Sequence, residues 1–158
     1  MDWREEKAIE YIKDNLSLID SNNFTEFYDN LFKGSRADVT SLLLEADINP
    51  LLYMDTVPRS YLLNQEDIKS IAISGNIKSI GDDAFANCTS LTNIIIPNSV
   101  TSIGGGAFED CRSLETINYK GSKEQWNLIN KGPKWKYNSS IKTIHCTDGD
   151  IKIMKLKP

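Results

Sequence analysis

The sequence predicts an α+β protein: a helical N-terminal unit, residues 1–67, followed by a short solenoid of parallel strands, residues 68–158. Three observations carry this prediction. Apolar residues recur at spacings of three and four before Asp67 and alternate after it. A 23-residue block starting at Ile68 is repeated without a gap from Leu91, with 9 identities. Charge divides at the same place: residues 1–67 carry 14 acidic and 6 basic side chains, a balance of −8, and residues 68–158 carry 8 and 12, a balance of +4. The net charge of −4 on 158 residues is therefore an average over two units of opposite sign.

In the first unit, Ile9, Ile12, Leu16 and Ile19 form one face of an amphipathic helix capped by Asp2, with Glu5 and Glu6 in its first turn. A second helix is expected from about Thr25 to Lys33, with Phe24, Phe27, Tyr28, Leu31 and Phe32 on its apolar face and Gly34 as its stop. Ser35 or Arg36 opens a third through Val39, Leu42, Leu43 and Ala46. A short fourth starts at Pro50, with Asn49 as its cap and the proline where a missing N–H costs nothing. The aromatic residues read as core, and the carboxylates are scattered as solvated faces are.

The repeats run 68–90, 91–113 and 114–146. Paired identities include Ile71 with Ile94, Ile73 with Ile96, Gly81 with Gly104, Phe85 with Phe108 and Cys88 with Cys111. Each L-x-x-I-x-I segment is a short strand that stacks in parallel on its counterpart in the next coil. Ile77 and Ile80, then Val100 and Ile103, line the return side. Gly81 and Gly104 permit the bend, and the Ala-Phe pair places a ring between coils. Cys88 and Cys111 fall at one equivalent position, as a stack of buried thiols would; a disulfide between them is the alternative and needs oxidising conditions.

These elements, AFANCTSL, IIIPNSVTSIGGGAFEDCRSL and INYKGSKEQW, closely resemble the BspA-type leucine-rich repeat family over about Ile68 to Asp150. The first copy departs from the pattern at Ser74, where the second has Pro97. The resemblance implies a curved, right-handed solenoid that binds proteins, with no catalytic residues to carry over.

After Tyr119 the chain reads as a terminal cap. Ser122 to Gln125 has the form of a capping box that opens a short helix through Trp126 and Ile129. Ile141-x-x-Ile144-x-Cys146 repeats the strand template, with Cys146 in the place of Ile96. A turn at Asp148-Gly149 and the run Ile151, Ile153 and Leu156 close the end as a hairpin.

Outward positions of this register form rows that make the candidate partner-binding face. One row is Ser70, Asn93, Thr116 and Thr143; the next is Ala72, Ile95, Asn118 and His145; a third is Ser74, Pro97, Lys120 and Thr147. His145, Cys146 and Asp148 lie close in sequence, but neighbouring strand residues point to opposite faces, so no nucleophilic triad is expected. The stretch with Lys131, Lys134, Trp135 and Lys136 interleaves cations and aromatics as single-strand binders do, and is the alternative site.

Composition excludes several classes. A single His and no Cys-x-x-Cys pair leave little to build a transition-metal site from, and Gly104-Gly105-Gly106 lacks the strand-to-helix setting of a phosphate loop, so no metal or cofactor is expected. No apolar run reaches the roughly 18 residues a membrane span needs. The mixed, acidic start MDWREEKAIE and the odd count of three Cys suggest a cytoplasmic protein with reduced thiols. The expected function is non-enzymatic protein binding, with nucleic-acid binding through the basic C-terminal region as the alternative. Stand-alone chains that resemble this one suggest a narrower expectation: a phage or mobile-element protein that blocks a host defence complex such as CRISPR, with the acidic unit in a basic groove.

Overall fold

The computed structural model describes residues 36–153, together with Glu6, Lys7, Glu10, Lys13 and Asp14, which are helical and exposed. The helix expected over 25–33 lies outside the described residues, as does the apolar face of the first. The first helix described in full, α1 (Arg36–Glu45), buries Ala37, Thr40 and Leu43 on one stripe. It ends because Asp47 adopts φ 60° and lets the Ile48 N–H donate back to Leu43 O at 2.8 Å and that of Asp47 to Leu44 O, a Schellman stop with aspartate in the usual glycine place. Asn49 then accepts from the Leu51 N–H at 3.1 Å and caps a single 3-10 turn, Pro50–Tyr53. The expected fourth helix is thus present as that tighter form. Asn76 ties the turn to the next coil by donating to the Leu51 carbonyl at 2.9 Å.

Beyond this point the chain is a β-solenoid of parallel strands. Strands β2 (Ser70–Ala72), β4 (Asn93–Ile96), β6 (Thr116–Tyr119) and β8 (Thr143–Cys146) stack in parallel, and β9 (Gly149–Lys152) adds antiparallel to β8. The return side is a second parallel sheet of two-residue strands, β1 (Thr56–Val57), β3 (Ser79–Ile80), β5 (Ser102–Ile103) and β7 (Asn130–Lys131). The pairing of Ser70 with Asn93 and of Ser79 with Ser102 is the register the sequence repeat predicts. Regular pairing starts at Thr56, upstream of Ile68, where the repeat becomes visible in the sequence. A helix, α2 (Lys123–Leu128), lengthens the third coil. Equivalent side chains are 23 positions apart between Asn64 and Asn87 but 28 apart between Asp110 and Asn138. Ser122 and Gln125 cap α2 reciprocally, as the sequence motif predicts.

Between the sheets lies one core: Ile71, Ile94, Ile117 and Ile144 from one side, Val57, Ile80 and Ile103 from the other. Phe85 and Phe108 stack with centroids 5.4 Å apart, and Tyr61 and Trp135 close the ends of the column edge-on. Cys88 and Cys111 are free and buried, so the expected thiol stack is what forms. Each thiol donates to the preceding coil, Cys88 to Leu62 O at 3.1 Å and Cys111 to Phe85 O at 3.0 Å. Burial pushes both thiols up to about 12.

Two backbone devices let the coils stack so closely. The first is a column of glycines. A Cβ on Gly81 would lie 2.6 Å from Arg59 N, one on Gly104 2.5 Å from Asp82 N, and one on Gly132 2.5 Å from Gly105 N. Close approach, rather than a special φ, is what demands glycine at Gly81 and Gly104. The second is a pair of left-handed columns, one through Ser60, Asp83, Gly106 and Lys134 and one through Asn64, Asn87, Asp110 and Asn138, all with φ between 56° and 64°. Asparagine and aspartate tolerate this region because their side chains bond locally. In the second column the Asn87 amide donates to Asn64 Oδ1 at 3.0 Å, and that of Asn138 to Asp110 Oδ1 at 2.6 Å. A carboxylate at Asp110 has no N–H to offer Asn87, so the ladder breaks there.

Three expectations follow for urea unfolding. Gly104→Ala forces a backbone shift and lowers stability by about 2 kcal/mol or more. Asp110→Asn supplies the missing donor and raises stability by about 0.5–1.5 kcal/mol, since the exposed pair it gives up, Arg112 with Asp110 at 3.7 Å, is worth little. The folded state holds Cys88 and Cys111 protonated, whereas unfolded thiols ionise near 9.0; stability is therefore full below that pH and declines from there towards about 12. Alanine at both positions should flatten that alkaline decline.

Candidate protein-binding face

The outer face of the five-stranded sheet is built by two-residue alternation. Inward residues of β4 and β6, Ile94, Ile96, Ile117 and Tyr119, are buried, which leaves Asn93, Ile95, Thr116 and Asn118 on the other side. Ser70 pairs with Asn93, Ala72 with Ile95, Ile95 with Asn118 and Asn118 with His145, so the two expected rows exist as rows. Ser70, Ala72, Asn93 and His145 are exposed; Ile95, Thr116 and Asn118 are half-buried.

Hydrogen bonds run along the face. Asn93 Nδ2 donates to Ser70 Oγ at 3.4 Å, and Asn118 Nδ2 donates to Asn93 Oδ1 at 2.9 Å. At the far end His145 Nδ1 lies 2.5 Å from Asp150 Oδ1, directly across the β8–β9 pair. The hydrogen bond from His145 holds the Asp150 carboxyl below its ordinary range.

Two positions differ from expectation. Thr143 occupies its predicted row but is 7 % exposed, because Lys152 on β9 crosses it and donates to Thr143 Oγ1 at 3.3 Å. Pro97, expected in the third outward row, is buried. Asp150 and Lys152 were not among the expected site residues, yet they form the fifth column of this face. The signal for them was present: once a hairpin follows β8, alternation places every second β9 residue beside His145 and Thr143.

No triad forms around His145. Cys146 is buried on the opposite side of the strand, and Asp148 Oδ1 accepts from the Lys123 N–H at the start of α2, at 2.9 Å.

The alternative basic site is largely turned inward. Lys131 Nζ donates to the carbonyls of Trp126 at 3.0 Å and Ile129 at 3.1 Å and lies 4.9 Å from the Trp126 ring centroid, and burial lowers its pKa. It serves the end of α2. Trp126 is 3 % exposed, and Trp135 meets Phe108 and Trp126 edge-on in the end of the core. Lys134 is exposed, 5.2 Å from the Tyr137 ring centroid, and Lys136 is half-buried. A single-strand binder needs open aromatic faces, and the two tryptophans are committed to packing.

Among the described residues, no group of three or more His, Cys, Asp and Glu side chains could hold a metal ion, and no helix is long and apolar enough to cross a membrane.

Of the comparisons with known proteins, the family match agrees with this architecture. No curated protein matches the chain. The crystal structure of a leucine rich cell surface protein from Faecalibacterium prausnitzii A2-165 is 44 % identical over 49 % of this chain and 21 % of that one, with a TM-score of 0.48. The present chain thus spans about a fifth of that protein's length. Residues 56–155 match the model of the BspA type leucine rich repeat region, in six copies, and this covers well over half of the sequence. The chain belongs to the BspA-type leucine-rich repeat family.

Proposed function

We propose that this chain is a protein-binding module and that it recognises its partner through the outer face of the five-stranded sheet. Leucine-rich repeats generally mediate protein–protein interaction. The observation that carries the assignment to this face is the bonded run from Ser70 through Asn93 to Asn118, which crosses from the first row to the second beside half-buried Ile95. These side chains are short and held by one another, so a partner meets donors and acceptors whose ordering cost is already met in the free protein. Thr116, Ala72 and His145 extend the same surface, and Thr143 contributes beneath Lys152.

In this reading α1 and the Pro50–Tyr53 turn cap the first coil, and α2 with β9 caps the last. The burial of Leu43, Ile48 and Leu51 in the common core supports the first cap, and the antiparallel pairing of β9 supports the second. The narrower expectation of a phage-borne blocker of a defence complex draws no support from the family match. It also relied on the charge of residues 1–67, much of which lies outside the described residues, so it does not enter the proposal.

The test compares three arginine variants. Ile95→Arg and Asn118→Arg alter the proposed face, and Thr101→Arg alters an exposed position on the return side. Proteins retained from a bacterial lysate are to be quantified by mass spectrometry. The first two variants should lose the specific partner by about tenfold or more, and the third should keep it. Equal retention by all three would place recognition elsewhere and overturn the assignment.

A further inference from the structure

At the N-terminal edge of the five-stranded sheet lies an apolar cleft of about 320 Å³ lined by Leu44, Asn49, Leu51, Tyr61, Ile68 and the strand β2 itself. Among the described residues β2 pairs only with β4. The Ile73 N–H donates to Ile95 O, so by alternation the backbone groups of Ser70 and Ala72 point the other way, along the cleft. This is an apolar trough beside a strand edge that no described residue pairs, the arrangement that accepts an extended segment by strand addition. The chain around it is acidic: Glu45, Asp47, Glu66 and Asp67 are exposed, against Lys69.

The opposite end of the molecule carries a segment of matching chemistry. After β9 the sequence reads Met154-Lys155-Leu156-Lys157. In an extended chain Ile151 and Ile153, both packed against the core, share one parity, whereas Met154 and Leu156 fall on the other. The apolar face thus changes sides at Ile153, and an extended continuation would turn Met154 and Leu156 away from their own core. In such an extended form Met154 and Leu156 would share one side and Lys155 and Lys157 the other.

Its own cleft is out of reach. From β9 to β2 there are four strand spacings, about 19 Å at about 4.8 Å each. Leu156 is three residues beyond Ile153, a span of about 11 Å at most.

We propose that the cleft beside β2 binds residues 154–157 of a second copy of this chain, with Met154 and Leu156 in the trough and Lys155 and Lys157 facing the acidic rim. The contact joins unlike surfaces, so it is heterologous and copies add head to tail. It shares Ser70 and Ala72 with the edge of the outer sheet face but does not depend on the partner-binding reading.

Sedimentation velocity of the full chain tests this first. Association should increase between about 1 and 100 µM in dilute buffer and weaken in about 0.5 M NaCl. Removing residues 154–158 should give a monomer, and so should Leu44→Arg, which places a cation in the trough. Each of these variants keeps one half of the contact, so mixing them should restore a 1:1 dimer and nothing larger. As an arm independent of how Leu44→Arg folds, a labelled peptide of residues 151–158 should bind the shortened chain. Where Leu44→Arg is folded by circular dichroism, its affinity for the peptide should fall by about tenfold or more. The Ile95→Arg variant should associate like the parent, which separates this outcome from that of the partner-binding test. The proposal is overturned by a full chain that stays monomeric at about 100 µM in dilute buffer. It is equally overturned by association that survives loss of residues 154–158, by a mixture of folded variants that remains monomeric, or by a peptide that does not bind.

Discussion

Every coil of this solenoid must place its backbone one strand spacing from the last, and the rest of the structure follows from that constraint. A single coil has two short strands and a thin apolar strip, too little to fold alone. Stacking supplies what is missing. The N–H of Leu62 donates to Ala84 O, that of Phe85 to Ala107 O and that of Phe108 to Trp135 O, so equivalent groups satisfy one another from coil to coil. At that spacing no Cβ fits at Gly81, Gly104 or Gly132, and large side chains are accommodated only if they stack, as Phe85 and Phe108 do. The same spacing turns a tolerated backbone strain into a repeating one. Left-handed residues recur in two columns, and in the second of them side chains bond vertically in two pairs, Asn87 to Asn64 and Asn138 to Asp110.

The third coil shows which parts of a coil the constraint leaves free. Between Tyr119 and Asn130 the chain carries α2 where the earlier coils have a tight turn, and still Asn130 returns to pair with Ser102. Extra length is absorbed outside the columns. The helix brings Trp126 over the end of the core, 5.3 Å from the Tyr119 centroid, and its terminal carbonyls create the need that Lys131 fills. A cation that reads as surface charge in the sequence is thus spent on helix termination.

Legibility in the sequence tracks how the constraint acts. Where it acts on side-chain identity the repeat is plain: Ile71 and Ile94, Phe85 and Phe108, and Cys88 and Cys111 announce the register, and the structure pairs them accordingly. In the first coil it acts on volume and backbone, with Pro58 in the place of Gly81, Leu62 in that of Phe85 and Gln65 in that of Cys88. From Thr56 to Asp67 only Asn64 is identical to its counterpart, Asn87, so the coil from Thr56 reads as part of the helical unit. Similarly, the stripe of α1 runs through Ala37 and Thr40, small residues that hydropathy undervalues, and it presents them to a core that only the folded solenoid provides. On the candidate face, alternation correctly located Asn93, Ile95, Asn118 and His145. It could not show that a β9 lysine would lie across Thr143, because that depends on side-chain reach between strands.

Stacking also decides which surfaces remain for recognition. The inward face of each strand is consumed by the core and most of the backbone by neighbouring coils, while the glycine and asparagine columns occupy the corners. What is left is the outward row of each strand and the two ends. Outward rows repeat the spacing of the strands, about 4.8 Å, so a substitution in one coil changes one point of a regular array without moving the others. Asn93 and Asn118 illustrate this: each sits on its own coil, yet their bond is formed across coils and orients both. A face of this kind gains specificity one coil at a time while the stacking contacts beneath it stay the same.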